Sequence, residues 1–319
     1  MKWGVIATGG IANAVTADML KVPDVEVLAV SSRDVTRAQA FADKFGIKRA
    51  YGDYRELLKD PDVEVVYIAT PHGQHHEVAL AALDAGKHVL CEKAFALTVA
   101  QAEEMIERAR SRQKQFLMEA MWTRVNPLIR KVVDAVEAGE IGEVRTITAD
   151  FGFRHEFNDD DRLWARKAGG GSILDLGVYP ISLAHRLLGV PTHIAAHGSL
   201  APSEVDADAS ILLGYENGAQ ALLSCSLVAD LGSAAEIVGT EGRIVIADPM
   251  FNPTKVIING VEHETEDMGY RHQIHEVEIA VGQRAVQHPD IPWSATLEIM
   301  RIMEEALRQV GVSYEDTVR

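Results

Sequence analysis

The sequence predicts an α/β protein of two domains: an N-terminal doubly wound Rossmann domain, then a C-terminal α+β domain with a large, mainly antiparallel open sheet. Three observations lead there. In the first third, short Val/Ile-rich runs alternate with amphipathic stretches of helical period, the pattern of βαβ units whose strands are buried on both faces. Beyond about residue 120 the pattern changes to alternating strands and a hairpin signal. A chain of 319 residues, 47% of them hydrophobic, is long enough to bury two cores of ordinary size. The domains are expected at 1–121 and 122–319.

Taken in order, residues 2–7, 25–31, 63–70, 88–91 and 115–118 read as strands, with helices over 11–21, 35–45, 74–85 and 98–112. The second domain reads as a helix over 127–138, an alternating strand through Ile147, Ala149, Phe151 and Phe153, and a helical stretch over 172–188. A hairpin follows, its strands at 209–215 and 219–228 joined through Asn217-Gly218. Short strands at 236–238 and 243–247 and helices over 273–284 and 294–310 complete a sheet covered by helices on one face.

The formal charge of −16 argues against nucleic acid or an anionic membrane as partner. No run approaches the roughly 20 apolar residues of a membrane span, and no export signal is legible, so a cytoplasmic protein is expected. Cys91 and Cys225 lack any CxxC or Cys/His spacing, so neither a disulfide framework nor a metal site is predicted.

The first turn, Ala7-Thr8-Gly9-Gly10-Ile11-Ala12, stands where a dinucleotide fingerprint would stand, with Ala7 in place of its first glycine. Gly9 allows close approach of a pyrophosphate, and the helix start supplies amides and the positive end of a dipole. After the second strand come Ser31-Ser32-Arg33-Asp34, with Arg37 one helical turn on. Two guanidiniums there suit the 2′-phosphate of NADP, which is favoured over NAD. Asp34 could bind a ribose hydroxyl instead, or cap the following helix. Thr70-Pro71-His72 with His75 and His76 follows the third long strand, and Glu92-Lys93 leaves the fourth, both at the edge where doubly wound folds bind ligands. A lysine leaving a buried strand is costly unless it is partnered, which favours a functional reading of Lys93. In the second domain Gly169-Gly170-Gly171 opens a helical stretch that would place Asp175 and Tyr179, at i and i+4, on one face, with Pro180 a possible kink.

Together these motifs resemble the Gfo/Idh/MocA oxidoreductase family over essentially the whole length. Tyr179, where many members carry histidine, is similar to the branch of dimeric dihydrodiol dehydrogenase (D-xylose 1-dehydrogenase) and glucose-fructose oxidoreductase. The segment Met118-Glu119-Ala120-Met121-Trp122-Thr123-Arg124 points to the first of these. The resemblance implies catalysis by Lys93, Tyr179 and Asp175. Cofactor binding would fall to Thr8, Gly9, Gly10, Ile11, Ala12, Ser32, Arg33, Arg37, Thr70, Pro71, His72, His75, Glu92 and Lys93, and a substrate pocket to Trp122, Arg124, Phe151, Phe153, Asp175 and Tyr179. It implies hydride transfer between NADP and a sugar, polyol or diol in a homodimer or dimer of dimers. The alternatives are an aldose-aldose oxidoreductase that retains its cofactor, and a non-catalytic NADP(H)-binding sensor. One departure is Ala94, where members commonly have proline.

Overall fold

A computed structural model of the chain describes residues 1–112, 114–267 and 269–317. Two compact units emerge: residues 1–96, 100–122 and 269–296 form the first, and residues 97–99, 123–268 and 297–319 the second. Residues 269–296, which the sequence reading gave to the second domain, thus cluster with the first.

In the first unit six strands, β1 (Lys2–Ile6), β2 (Glu26–Ser31), β3 (Arg49–Tyr51), β4 (Val65–Ile68), β5 (His88–Cys91) and β6 (Leu117–Glu119), form a parallel sheet in the order β3-β2-β1-β4-β5-β6. Helices α1 (Gly10–Met19), α2 (Val35–Phe45), α3 (Tyr54–Lys59), α4 (His75–Asp84) and α5 (Val99–Arg112) connect successive strands. The short β3 and α3 have no counterpart in the sequence reading. Strand β4 is buried at every position, as its unbroken Val-Val-Tyr-Ile run requires of a central parallel strand. Strand order reverses at β1, which places a crevice outside the carboxyl ends of β1 and β4.

In the second unit, α6 (Pro127–Glu137) starts with Pro127 at its first position and the Asn126 side chain accepting from the Leu128 and Ile129 amides. Eight strands follow: β7 (Val144–Gly152), β8 (His193–Leu200), β9 (Asp206–Gly214), β10 (Gln220–Ser226), β11 (Ala235–Gly239), β12 (Arg243–Ile246), β13 (Lys255–Ile258) and β14 (Val261–Glu264), ordered β14-β13-β12-β11-β7-β10-β9-β8. All neighbours are antiparallel except β7 and β10. The hairpin at Asn217-Gly218 forms between β9 and β10, whereas β8, β13 and β14 were not anticipated. Helix α7 (Val178–Leu188) packs on β7 and β10, over Ile147, Ala149, Ala221 and Leu223, which are buried. On the opposite face Leu222 is exposed.

The helix expected over 172–188 has two parts: a π-helical turn over Ile173–Gly177, then α7 with Pro180 in its first turn. Proline has no N–H to give the Leu176 carbonyl and its ring crowds that group, so a widened turn upstream is the natural accommodation. The last helices are α8 (Arg271–Gly282) and α9 (Trp293–Val310). Among the described residues no helix is long and apolar enough to cross a membrane.

Candidate active site

In the first unit every sequence-predicted residue of the crevice falls at the carboxyl ends of β1, β2, β4 or β5. The β1–α1 turn holds Thr8, Gly9, Gly10, Ile11 and Ala12, and Gly9 is the N-cap of α1 without any side-chain cap. A Cβ built on Gly9 or Gly10 meets nothing within 4 Å, so the helix start is an open cradle whose first-turn amides lack intrahelical partners. Asn13, which the sequence reading passed over, braces it by donating from Nδ2 to the carbonyls of Thr8 and Gly9 at 3.2 and 2.9 Å. Ala7 takes φ of +87°, a conformation that favours the glycine it replaces. Asp34 caps α2, accepting from the Thr36 amide at 2.8 Å. Arg33 and Arg37 are exposed, and Arg37 lies 3.8 Å from the Asp34 carboxylate.

The next two crossovers work on Lys93. His75 is fully buried, with Nδ1 2.9 Å from the Ala94 carbonyl and Nε2 2.8 Å from that of Thr70. Burial, aided by His72, pushes this imidazole down to about 3, so it is neutral at physiological pH. His72 Nε2 lies 3.1 Å from the Lys93 carbonyl, while His76 turns outward to Glu104. The histidine cluster is therefore largely a brace for the Lys93–Ala94 backbone, whose peptide bond is cis. Glu92, buried, accepts from the Tyr67 hydroxyl at 2.6 Å and from the Lys93 amide at 3.3 Å. Burial drives the Tyr67 hydroxyl well above its ordinary value, which keeps it a donor. Trp122 stacks on Tyr270, centroids 4.1 Å apart.

In the second unit Tyr179 is buried within an aromatic triangle: Phe151 and Phe251 stack on each other at 4.7 Å and lie 5.7 and 5.5 Å from its ring. Phe153 continues the array 6.2 Å from Phe151. Asp175, in the π turn, accepts from Arg162 Nη1 at 2.9 Å. Asp206 anchors the start of that turn by accepting from the Ser172 hydroxyl at 2.7 Å and the Ile173 amide at 2.6 Å. Burial pushes the Asp206 carboxyl up to about 6 despite these donors. Arg124 was expected at the substrate; its guanidinium is turned onto α7, donating to Ser182 Oγ and His185 Nδ1, each at 2.9 Å. Because arginine can only donate, His185 carries its proton on Nε2 and gives it to Glu298 at 2.7 Å. Burial holds that imidazole below its ordinary value.

Residues 1–120 match the oxidoreductase family with an NAD-binding Rossmann fold, GFO_IDH_MocA, and residues 129–245 match the GFO/IDH/MocA C-terminal domain. The trans-1,2-dihydrobenzene-1,2-diol dehydrogenase of Mus musculus is 35% identical, covering 100% of this chain and 99% of its own. The chain belongs to the GFO/IDH/MocA oxidoreductase family. A Xenopus laevis relative with the same activity is 36% identical over 98% of this chain and 99% of its own. Among solved structures, KijD10, a 3-ketoreductase from Actinomadura kijaniata in complex with NADP and TDP-benzene, has a TM-score of 0.84 at 28% identity, covering 97% and 98% of the two chains. Aldose-aldose oxidoreductase from Caulobacter crescentus shares the fold, with a TM-score of 0.87 at 23% identity and 97% coverage of both chains.

The first unit suits the dinucleotide that this family's Rossmann domain binds. The glycine cradle leaves room for a pyrophosphate at a helix start. Thr70 Oγ1, at the β4 carboxyl end, is buried without a hydrogen-bond partner among the described residues. Sequence reasoning missed Asn13, Tyr67, Phe251, Tyr270 and Arg162; of these, only the aromatic residues belong to a type that marks substrate pockets in general.

Proposed function

We propose that the enzyme is an NADP-dependent dehydrogenase or reductase acting on a CH–OH group of a sugar or a related polyol or diol. The observation that carries this reading is Lys93, which leaves buried β5 at the sheet edge that also bears the glycine cradle and Arg33. NADP is favoured over NAD because Arg33 and Arg37 are exposed beside β2, while Asp34, the one acid there, is engaged in capping α2. The names of the relatives, a diol dehydrogenase and a 3-ketoreductase crystallised with NADP, fit the same chemistry.

When bound, the nicotinamide supplies the acceptor or donor of the hydride exchanged with the substrate carbon. The chain's own residues manage the proton. Tyr179 takes the hydroxyl proton during oxidation and returns it during reduction, while the Lys93 ammonium favours the phenolate and the developing alkoxide. Asp175 accepts from a neighbouring substrate hydroxyl. The aromatic groups around Tyr179, Phe151 and Phe251, shield its ring from water. Assembly as a homodimer through the open sheet face is part of the proposal; light scattering that found only monomer would remove this part.

The test is a steady-state assay with NADP⁺ and, separately, NAD⁺ over aldoses, inositols and cyclic trans-diols. Reduction of NADP⁺ in preference to NAD⁺ by at least one of these compounds is expected. Cofactor binding without turnover on any of them would overturn the proposed reaction.

A further inference from the structure

We infer that Arg162, on the segment between β7 and the glycine run, is a positioning residue that aims Asp175 at the substrate, and that Gly170 and Gly171 exist to hold it there. The inference deepens the proposed function and rests on Asp175 belonging to that site.

Asp175 is buried to 7% side-chain exposure and Arg162, 56% exposed, reaches it from outside with Nη1 at 2.9 Å. A surface ion pair contributes little, but a carboxylate withdrawn from water needs a partner, so the pair matters mainly for where it fixes Asp175. The backbone on both sides of Arg162 is anchored. Asp161 Oδ1 accepts from the Leu163 amide at 2.8 Å, and its carbonyl accepts from the Trp164 and Ala165 amides at 3.0 and 2.8 Å. Trp164 is 1% exposed and donates from Nε1 to the Glu156 carbonyl at 2.9 Å.

The glycine run closes this clasp. The Gly171 amide donates to the Leu163 carbonyl at 2.8 Å, and a Cβ on Gly170 would stand 2.6 Å from that oxygen and 3.1 Å from the Arg162 carbonyl. No side chain fits between the two backbones, so the run brings residues 162–163 against the start of the Asp175 turn. The run thereby fixes the distance from which Arg162 reaches Asp175.

The test compares Arg162→Met, Arg162→Lys, Asp175→Asn, the Arg162→Met/Asp175→Asn double variant and Gly170→Ala. Arg162→Met is expected to lower kcat about 10- to 100-fold, with NADPH affinity, read by fluorescence titration, unchanged. Lysine, which keeps the charge without the fork, should restore part of the loss, and the double variant should be no worse than Asp175→Asn alone. Gly170→Ala should reproduce the kcat loss with the guanidinium still present. Full turnover in Arg162→Met, or losses that multiply in the double variant, would overturn the inference. If the wild type turns over none of the sugars or diols, the proposed function fails separately, and thermal unfolding of the same set decides: coupled Tm shifts support the Arg162–Asp175 device and additive shifts refute it.

Discussion

The two units hold their candidate site residues by different means. At the β1–α1 edge of the first unit, position is set by the main chain, through a turn at the end of a parallel strand and an open helix start, and at β5 the carbonyls of Lys93 and Ala94 meet His72 and His75. Around Tyr179 in the second unit, position is set by side chains distant in sequence, with Arg162 on Asp175, Asp206 on Ser172 and Ile173, Arg124 on α7, and Phe251 against the tyrosine ring. A main-chain site tolerates exchange of side chains that make no contact. A side-chain site fails when any partner is lost.

The largest effect should come from the chemistry. Tyr179→Phe is expected to lower kcat about 10²- to 10⁴-fold with NADPH affinity intact, measured by steady-state kinetics and fluorescence titration. Next is the clasp of the second unit. Gly171 has φ of +111° and a Cβ there would stand 2.3 Å from Asp206 Oδ1, so Gly171→Ala should cost at least about 2 kcal/mol in a denaturant titration. On the main-chain side, Arg33→Ala should weaken NADPH binding by about tenfold and leave NADH binding unchanged. Equal loss for both cofactors would break the assignment of Arg33 to a 2′-phosphate.

Asp206 offers a pH test of the side-chain half. Its carboxyl is raised from 3.8 to about 6, so between those values the folded protein holds a proton that the unfolded chain has released. Its contribution to stability is therefore greatest at low pH and declines as pH rises through that window. Asp206→Asn keeps an acceptor for Ser172 and Ile173 but does not titrate, and its unfolding midpoint should lose that part of the slope. The smallest effect is expected at the first turn: Ala7→Gly, relieving a φ of +87°, should raise stability by about 0.5–1 kcal/mol without altering turnover.

This contrast also explains what could be read from the sequence. The strand ends, the Gly9–Gly10 turn, the Asp34 cap and the helix start at Pro127 all depend on residues close together in sequence, where spacing carries information. Arg162, Asp206 and Phe251 do not, because each is brought to the Tyr179 segment by folding. The edge strand β8 escaped notice because His-Ile-Ala-Ala-His-Gly-Ser-Leu has no alternating apolar pattern, and β13 and β14 are only four residues each. The π turn depends on how Pro180 is accommodated, which periodicity alone does not register.

The central proposal is that Lys93, of the first unit, and Tyr179, of the second, act on a single proton transfer. It is tested most directly by a double-mutant cycle on kcat/KM with Lys93→Met, Tyr179→Phe and the pair, using whichever substrate the wild type oxidises. The account expects each single change to remove most of the activity and the double variant to be little worse than either. Losses that simply multiply would mean that the two residues act on different steps, and would contradict it.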